Sequence, residues 1–258
     1  FSDEMLIFNR SQIGDIEVTD IDNDGDKDLF VVSGGYEFSI NSKNLQDRLY
    51  LNDGKGNFKK DNSRIPNYLN SGSKVVAADY DMDGYVDLFV SGRQLPGKYP
   101  SPANSTLLKN ENGYLKDVTS TKAEGFHSLG MVTSAQWIHL NNDDRLDLVV
   151  VGEWMPITTF LQTKSGTFER FSFQGLENSE GWYYSVTPAD MDNDGDDDFI
   201  VGNLGLNYKY KASKEQPFQV HSADFDENGS QDIVLSYFEE GQVYPLRGRS
   251  CSIDQIPE

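Results

Sequence analysis

Residues 79–87 read Asp-Tyr-Asp-Met-Asp-Gly-Tyr-Val-Asp, and this nine-residue pattern of alternating acids with a glycine at position six recurs along the chain. Copies begin at Asp20, Asp190 and Asp224, and a degenerate copy begins at His139. Alternate positions supply hard oxygen ligands, and the glycine permits a sharp turn that folds them around one ion. The pattern therefore predicts calcium-binding loops at residues 20–28, 79–87, 139–147, 190–198 and 224–232.

The residues that follow each loop distinguish between the known classes of calcium loop. An EF-hand needs a bidentate Glu at position twelve. All five twelfth positions here are apolar: Val31, Val90, Val150, Val201 and Leu235. The runs that contain them, such as residues 29–33 and 88–91, are short, β-branched and aromatic, which is typical of strands. The EF-hand and the helical dockerin module are therefore both excluded, and each loop is predicted to join two strands.

Position within the loop predicts the role of each residue. Positions one, three, five and nine provide side-chain oxygens, the variable seventh position is expected to offer a backbone carbonyl, and the apolar second position is expected to anchor the loop in the core. We predict three strong sites and a weaker one in which Asn228 replaces a carboxylate. The loop of His139 is expected to bind weakly or not at all, because histidine is a poor calcium ligand and Asp144 replaces the glycine. The predicted metal-site residues are Asp20, Asp22, Asp24, Asp26, Asp28, Asp79, Asp81, Asp83, Tyr85, Asp87, Asp190, Asp192, Asp194, Asp196, Asp198, Asp224, Asp226, Asn228, Ser230 and Asp232.

A second motif alternates with the loops and completes a repeat. Residues 49–58, 107–114 and 159–168 each contain a short strand, a glycine turn and a returning aromatic residue, which is typical of a β-hairpin. One repeat thus contains about four strands, and the first three loop starts are separated by 59 and 60 residues. Repeats of this size and content are typical of propeller blades.

We therefore predict that residues 1–258 form a single all-β propeller of about five blades. A segment of a larger seven- or eight-bladed ring is the alternative, since propellers have roughly four to eight blades. The N-terminal Leu6-Ile-Phe8 resembles a strand of the second hairpin, so it either completes the last blade or belongs to another one. Residues 95–105 are expected to form a long surface loop, and residues 203–217 an irregular, locally basic excursion.

The loops and the hairpin at residues 49–58 resemble FG-GAP/VCBS repeats, which are similar to the calcium-bearing blades of integrin α-subunit propellers. Residues 201–212 and 244–249 resemble large bacterial surface proteins that join such repeats to an ASPIC/UnbV segment. The resemblance implies a propeller, bound calcium and an exported location, and it implies no known reaction. His139, Asp144 and the short step of 34 residues before the last loop depart from the family pattern.

Composition narrows the possible partners. The net charge is −20, but 21 of the 28 aspartates lie in the five loops, so most of the acidity is ligand. No basic stripe is present to neutralise phosphates, which argues against nucleic acid. Cys251 is the only cysteine, and no stretch approaches the roughly 18 apolar residues of a membrane helix. Because such loops suit millimolar extracellular calcium better than the resting cytosol, we expect an extracytoplasmic location, at the cell surface or secreted.

Two classes of function remain open from the sequence. The first is a calcium-stabilised binding or adhesion module that recognises protein or glycan and has no catalysis of its own. The second is a carbohydrate-active enzyme, such as a polysaccharide lyase or glycosidase, with a catalytic acid or base outside the loops near Arg93, Arg247 or Arg249. Glu153-Trp154 and residues 180–184 fit either a sugar platform or aromatic packing between blades.

Overall fold

The computed structural model describes residues 12–141, 143–195 and 197–247, and Leu6-Ile-Phe8, Asn142, Asp196, Arg249 and Cys251 lie outside these ranges. The described part is nearly all β. Its strands are β1 Ile13–Thr19, β2 Asp28–Ser33, β3 Arg48–Asn52, β4 Phe58–Lys60, β5 Gly72–Ala78, β6 Asp87–Gly92, β7 Thr106–Glu111, β8 Tyr114–Asp117, β9 Met131–Ile138, β10 Asp147–Met155, β11 Thr158–Gln162, β12 Phe168–Phe171, β13 Gly181–Ala189, β14 Asp198–Asn203, β15 Gln219–Ala223, β16 Asp232–Glu239 and β17 Gln242–Pro245. One short helix, α1, covers Thr119–Lys122, and single 3-10 turns cover Lys43–Leu45, Asn62–Arg64, Glu124–Phe126 and Gly205–Asn207.

The strands form antiparallel sheets that match the predicted repeats. Strands β1 to β4 and β5 to β8 make two four-stranded sheets, and β9 to β12 make a third set of four strands; in all three, sequence neighbours pair. Strand β10 also pairs with the start of β13, so the third set and β13–β14 share one six-stranded sheet. The three second hairpins are confirmed as β3–β4, β7–β8 and β11–β12. The fourth loop joins β13 to β14, and the fifth joins β15 to β16, which also pairs with β17. The all-β, propeller-like prediction is therefore confirmed, whereas the number of blades in the ring stays a prediction.

The inner strands β1, β5, β9 and β13 lie side by side, as successive blades of a propeller do. A hydrogen bond that involves a side chain links each pair of neighbouring inner strands. The Asp15 carboxylate accepts a hydrogen bond from the backbone N–H of Val75 at 3.1 Å. The Trp137 indole N–H donates to the carbonyl of Val76 at 3.1 Å, and the Thr133 hydroxyl donates to the carbonyl of Tyr183 at 2.7 Å. These bonds set the spacing of the blades around one axis.

Each hydrophobic cluster takes its residues from adjacent blades, because a single sheet cannot bury both of its faces. The first cluster packs Ile21 and Phe30 against Leu88 and Leu108 of the second blade. The second cluster joins the second and third blades through edge-to-face contacts of Phe126 with Phe89 and Phe160. The third cluster joins β9 and β10 to β13 and β14. Blade-to-blade packing therefore forms the core, as the repeat predicts.

The second loop position is buried only in the first three repeats. Ile21 is 0% exposed, and Tyr80, at 1%, packs between Trp137 and Phe168 of the following blade. Met191 and Phe225 are 63% and 48% exposed. The prediction that this position always anchors the loop in the core is therefore wrong for the last two loops. The physical reason is that no complete four-stranded blade packs against these loops in the described residues.

The two segments predicted to be irregular contain no strand of their own. Residues 94–104 form a loop without strands, as expected, although Ala103 is buried. Residues 204–218 contain one 3-10 turn and connect β14 directly to β15, because the short step leaves no room for a second hairpin. No helix in the described ranges is long and apolar enough to cross a membrane.

Candidate metal centres

The loops are closed by their own side chains. The Asp79 carboxylate at position one accepts hydrogen bonds from the backbone N–H groups of Asp83 at 3.0 Å and Gly84 at 2.9 Å. The loops beginning at Asp20 and Asp224 make the same pair of bonds. The glycine at position six has φ between 85° and 100° in the four acidic loops, which an L side chain rarely adopts. The sequence reasoning for this glycine is thus supported.

Four of the five loops bring acidic side chains together. In each group the ligand oxygens lie within 4.8 Å of one another, and the groups are Asp20, Asp22 and Asp28; Asp79, Asp81 and Asp87; Asp190, Asp192 and Asp194; and Asp224, Asp226 and Asp232. Positions one, three and nine therefore converge in three loops, whereas the loop at 190–198 gathers positions one, three and five. Asp24, Asp83, Asp198 and Asn228 lie in the same loops outside these groups, Asp26, Tyr85 and Ser230 stand at the seventh position, and Asp196 lies outside the described residues.

Two unpaired carboxylate oxygens provide a further reason to expect a calcium ion in these loops. At position three, Asp22 Oδ1 and Asp81 Oδ1 are buried side-chain oxygens that accept no hydrogen bond. A buried carboxylate oxygen without a partner is costly, and a bound cation is one way to satisfy it. Because every converging ligand atom is a hard oxygen, the donor set suits Ca²⁺ rather than a softer metal. Several of these Asp-rich groups could thus hold a metal ion, in agreement with the predicted cofactor.

The aspartate at position nine has a second role that the sequence analysis missed. Asp87 is fully buried, and its Oδ2 accepts from the backbone N–H of Tyr80 at 3.2 Å. Its Oδ1 accepts from the backbone N–H of Asn110 in β7 at 2.7 Å. Burial raises the pKa of Asp87 to about 7 against the lowering effect of these two bonds. One carboxylate therefore joins the loop to the second hairpin of its own blade.

The same bridge occurs in the first and third blades. Asp28 binds the N–H groups of Ile21 and Asn52, and Asp147 binds those of Leu140 and Gln162. In the part of the chain that the structure describes, Asp198 and Asp232 make only the bond within the loop, to the N–H groups of Met191 and Phe225. Within the described residues, both bonds occur together only in the first three blades, and β14 is not followed by a second hairpin.

A side-chain amide carries the connection to the preceding blade. Asn110 Nδ2 donates to the carbonyl of Ile21 in the first loop at 2.8 Å, and Gln162 Nε2 donates to the carbonyl of Tyr80 in the second loop at 2.9 Å. The sequence signal was present, since an amide residue follows the apolar residues of each Leu-Tyr-Leu-Asn-type motif, at Asn52, Asn110 and Gln162. Its role could be recognised only once the neighbouring loop was placed beside it.

In the third loop, basic side chains of the loop itself contact the oxygens that would otherwise face an ion. His139 Nδ1 hydrogen bonds to the carbonyl of Arg145, the position-seven carbonyl that would otherwise face an ion. The Arg145 guanidinium pairs with the carboxylate of Asp143 and donates to the carbonyl of Gln162. Asn141 Oδ1 is buried without a partner, yet the described residues of this loop form no group of three acids. These contacts support the prediction of weak or absent binding.

A cavity of about 360 Å³ lies at the opposite end of the inner strands. Its lining includes Ile13 and Gly72, the first residues of β1 and β5, whereas the loops follow the last residues of these strands. Tyr36 and Tyr184 are exposed at the cavity, and Arg93 lies beside them. Arg93 pairs with Glu153, which is buried. The cavity is therefore polar, partly aromatic and close to neutral.

The other candidate residues for an enzyme site are placed elsewhere. Trp154 and Trp182 contact each other with ring centroids 5.2 Å apart, and Phe218 stacks on Trp154 at 5.9 Å. The Trp154 indole N–H donates to the hydroxyl of Tyr99 at 2.6 Å. These partly buried rings support the packing interpretation. Arg247 is exposed and does not line the cavity, and Arg249 lies outside the described residues.

A comparison with protein families matches the FG-GAP-like repeat to residues 12–90 and 139–201, which together are more than half of the chain. The first matched range contains the loops at 20–28 and 79–87, and the second contains the loops at 139–147 and 190–198. It does not extend to residues 202–258, so the resemblance to an ASPIC/UnbV segment stays a prediction. No curated protein matches the chain.

Position four of the loop generates a prediction about stability. This position has φ between 57° and 61° in the four acidic loops, where Asn23 and Asn193 suit the conformation, whereas Met82 and Glu227 do not. Met82 is 70% exposed, so it contributes little packing. We expect Met82→Asn to stabilise the protein by about 1 kcal/mol, measured by urea unfolding, because asparagine tolerates the left-handed region better.

Asn23→Met is the matched control, and it should lower stability by about the same amount. Equal stability of Met82→Asn and the wild type, with a normal urea dependence, would refute the strain at this position.

Proposed function

Since the chain belongs to the FG-GAP-like repeat family, we propose that it is a calcium-stabilised, extracellular binding propeller that recognises a glycan at its axial cavity. In this proposal calcium is structural, and the four acidic groups that would hold it are Asp20, Asp22 and Asp28; Asp79, Asp81 and Asp87; Asp190, Asp192 and Asp194; and Asp224, Asp226 and Asp232. The ion, when bound, supplies a positive charge that neutralises the converging carboxylates. The chain itself supplies the ligand-binding surface.

The observation that carries the proposal is the separation of the acidic loops from the cavity. The loops follow the C-terminal ends of the inner strands, and the cavity lies at their N-terminal ends. Strand β1 has seven residues, so the two ends are about 20 Å apart at a rise of roughly 3.3 Å per residue. An ion in a loop is therefore too far away to coordinate a ligand in the cavity.

The chemistry of the cavity favours a neutral glycan. The charge of Arg93 is compensated by Glu153, so the cavity offers no net charge to an acidic ligand. The hydroxyl of Thr133 is already committed to the carbonyl of Tyr183. Tyr36 and Tyr184 remain exposed, and each combines an apolar ring face with a hydroxyl, the combination that suits the face and rim of a sugar ring. A protein ligand is the alternative outcome of the binding test.

The carbohydrate-active enzyme has weaker support from the same site. A general acid needs a carboxyl group that is protonated and free to donate to the substrate. Glu153, the acid paired with the cavity residue Arg93, has a side chain that is only 3% exposed. Its carboxylate is engaged by the Arg93 guanidinium and is not free to act on a substrate. We therefore propose binding without turnover.

Calcium removal is the first test. If three sites have dissociation constants near 10⁻⁴ M, then 1 mM calcium stabilises the fold by about 4 kcal/mol. We expect a chelator to lower the melting temperature by roughly ten degrees, and added calcium to restore it, while the same concentration of magnesium restores little. A melting temperature that is unchanged by the chelator would refute the structural role of calcium.

Ligand recognition is the second test, in calcium throughout. We expect the protein to bind a neutral glycan on an array, and Tyr184→Ala to weaken this binding at least ten-fold because it removes an exposed ring at the cavity. Tyr114→Ala is the matched control, since Tyr114 has the same 52% exposure but lies outside the cavity. Equal loss in both variants would contradict the cavity as the site. Shortened glycan products would support the enzyme instead.

A further inference from the structure

We infer that Lys109 occupies the ion position of the loop at 79–87 and competes with calcium there, so that this loop is the weakest of the three predicted strong sites. The inference rests on the proposed calcium binding. It adds a residue from outside the loop that sets the affinity of one site. It also reverses the ranking by carboxylate number alone, which placed this loop among the strongest.

The contacts of Lys109 place its ammonium group among the ligands. Lys109 Nζ contacts the carboxylate of Asp81 and lies 2.9 Å from Asp83 Oδ2, so it bridges positions three and five. These oxygens would otherwise face the ion. The other oxygen of Asp81, Oδ1, remains buried without a hydrogen bond. The ammonium group therefore neutralises the loop in part and leaves one ligand oxygen that only a further donor or a cation can satisfy.

The register of the second hairpin shows which residue of each blade lies beside the loop. In each complete blade, the backbone N–H of one residue binds the position-nine aspartate: Asn52, Asn110 or Gln162. Lys109 directly precedes Asn110, and Leu51 and Leu161 stand at the same register in the other two blades. The fold thus places this residue beside the loop in every blade, and the second blade alone has a cation there.

Basic groups at the neighbouring loops make a useful comparison. In the third loop, Arg145 pairs with Asp143 from within the loop. In the first loop, Arg64 lies 3.1 Å from Asp22, but it also pairs with Asp61 and lies over the ring of Tyr114. Groups outside the loop, Asp61 and Tyr114, therefore share the Arg64 guanidinium with Asp22. Lys109 has two loop carboxylates as its partners, which makes it the closer substitute for an ion.

Competition, rather than complete blockage, follows from the properties of lysine. The side chain of Lys109 is 21% exposed and has a flexible stem, so its ammonium group can retract to water when an ion arrives. Calcium must then break two charge-assisted bonds and tolerate a nearby positive charge. The same lysine keeps the carboxylates neutralised when calcium is scarce. The second blade is therefore expected to keep its loop folded at calcium concentrations that empty the other sites.

Terbium luminescence can report this loop selectively. Terbium binds calcium sites and is excited through nearby tyrosines, and Tyr80 and Tyr85 lie within the loop at 79–87. The loops at 20–28, 190–198 and 224–232 contain no tyrosine or tryptophan. Tyr85→Phe in the wild-type and Lys109 backgrounds assigns the signal, because it should lower the amplitude from this loop. Total calcium binding by calorimetry, on the same proteins, reports the other loops.

The experiment compares the wild type with Lys109→Met, which keeps most of the stem and removes the charge. We expect the Tyr85-dependent terbium midpoint, and one class of calcium sites, to tighten about ten-fold, since a unit charge next to a partly exposed site is worth at least this much. Lys116→Met is the matched control, because Lys116 pairs with Glu111 in the same blade away from the loop. Lys109→Gln, which keeps a polar group, is the second variant if Lys109→Met folds poorly.

The outcomes separate the two proposals. Equal terbium midpoints in the wild type, Lys109→Met and Lys109→Gln, with calcium bound at the other loops, would overturn the role of Lys109 and leave the proposed function intact. No calcium binding in any of the proteins would overturn both. A similar tightening in Lys116→Met would show that only the net charge matters, and would also overturn the specific role of Lys109.

Discussion

The fold depends on one buried carboxylate in each complete blade. Asp28, Asp87 and Asp147 each accept two backbone hydrogen bonds, one from the loop and one from the second hairpin. A buried carboxylate is stable only when such partners surround it, because its desolvation is costly. The two hairpins of a blade are therefore joined at the same residue that the calcium pattern requires. The amide of Asn110 or Gln162 then extends this network to the loop of the preceding blade.

This arrangement gives calcium an unequal role along the chain. In the first three blades, the loop is already tied to the sheet by hydrogen bonds. A basic group also pairs with an acid of each of these loops, although Arg64 at the first loop is shared with Asp61. In the last two repeats, Asp198 and Asp232 bind only within the loop, and Met191 and Phe225 are exposed. Hydrogen bonds within these loops remain, but the described residues give them no bond from a second hairpin, so an ion would contribute more to holding the ligand groups together there. The proposed calcium dependence is thus expected to come mainly from the first loop and the last two.

Local pattern predicted much of the fold, because the decisive signals lie within nine or ten residues of one another. The apolar twelfth position excluded helices after the loop, and the glycine turns marked the second hairpins, both of which the structure confirms. Contacts between distant residues could not be predicted in this way. Lys109 reaches a loop 26 to 28 residues earlier, and Asn110 reaches one 89 residues earlier. The exposure of Met191 and Phe225 likewise depends on which blades pack beside them, and not on their own loop.

The central claim is that the position-nine aspartate joins the blade independently of any ion, and paired substitutions in a chelator test it directly. Urea unfolding of Asp87→Asn should show a loss of about 3 kcal/mol, because the amide cannot accept from both Tyr80 and Asn110 and a buried donor is left unpaired. Asp232→Asn, which has one such bond at a less buried position, should lose about 1 kcal/mol or less. Equal stability of the two variants in chelator, with a difference that emerges only in calcium, would contradict the account.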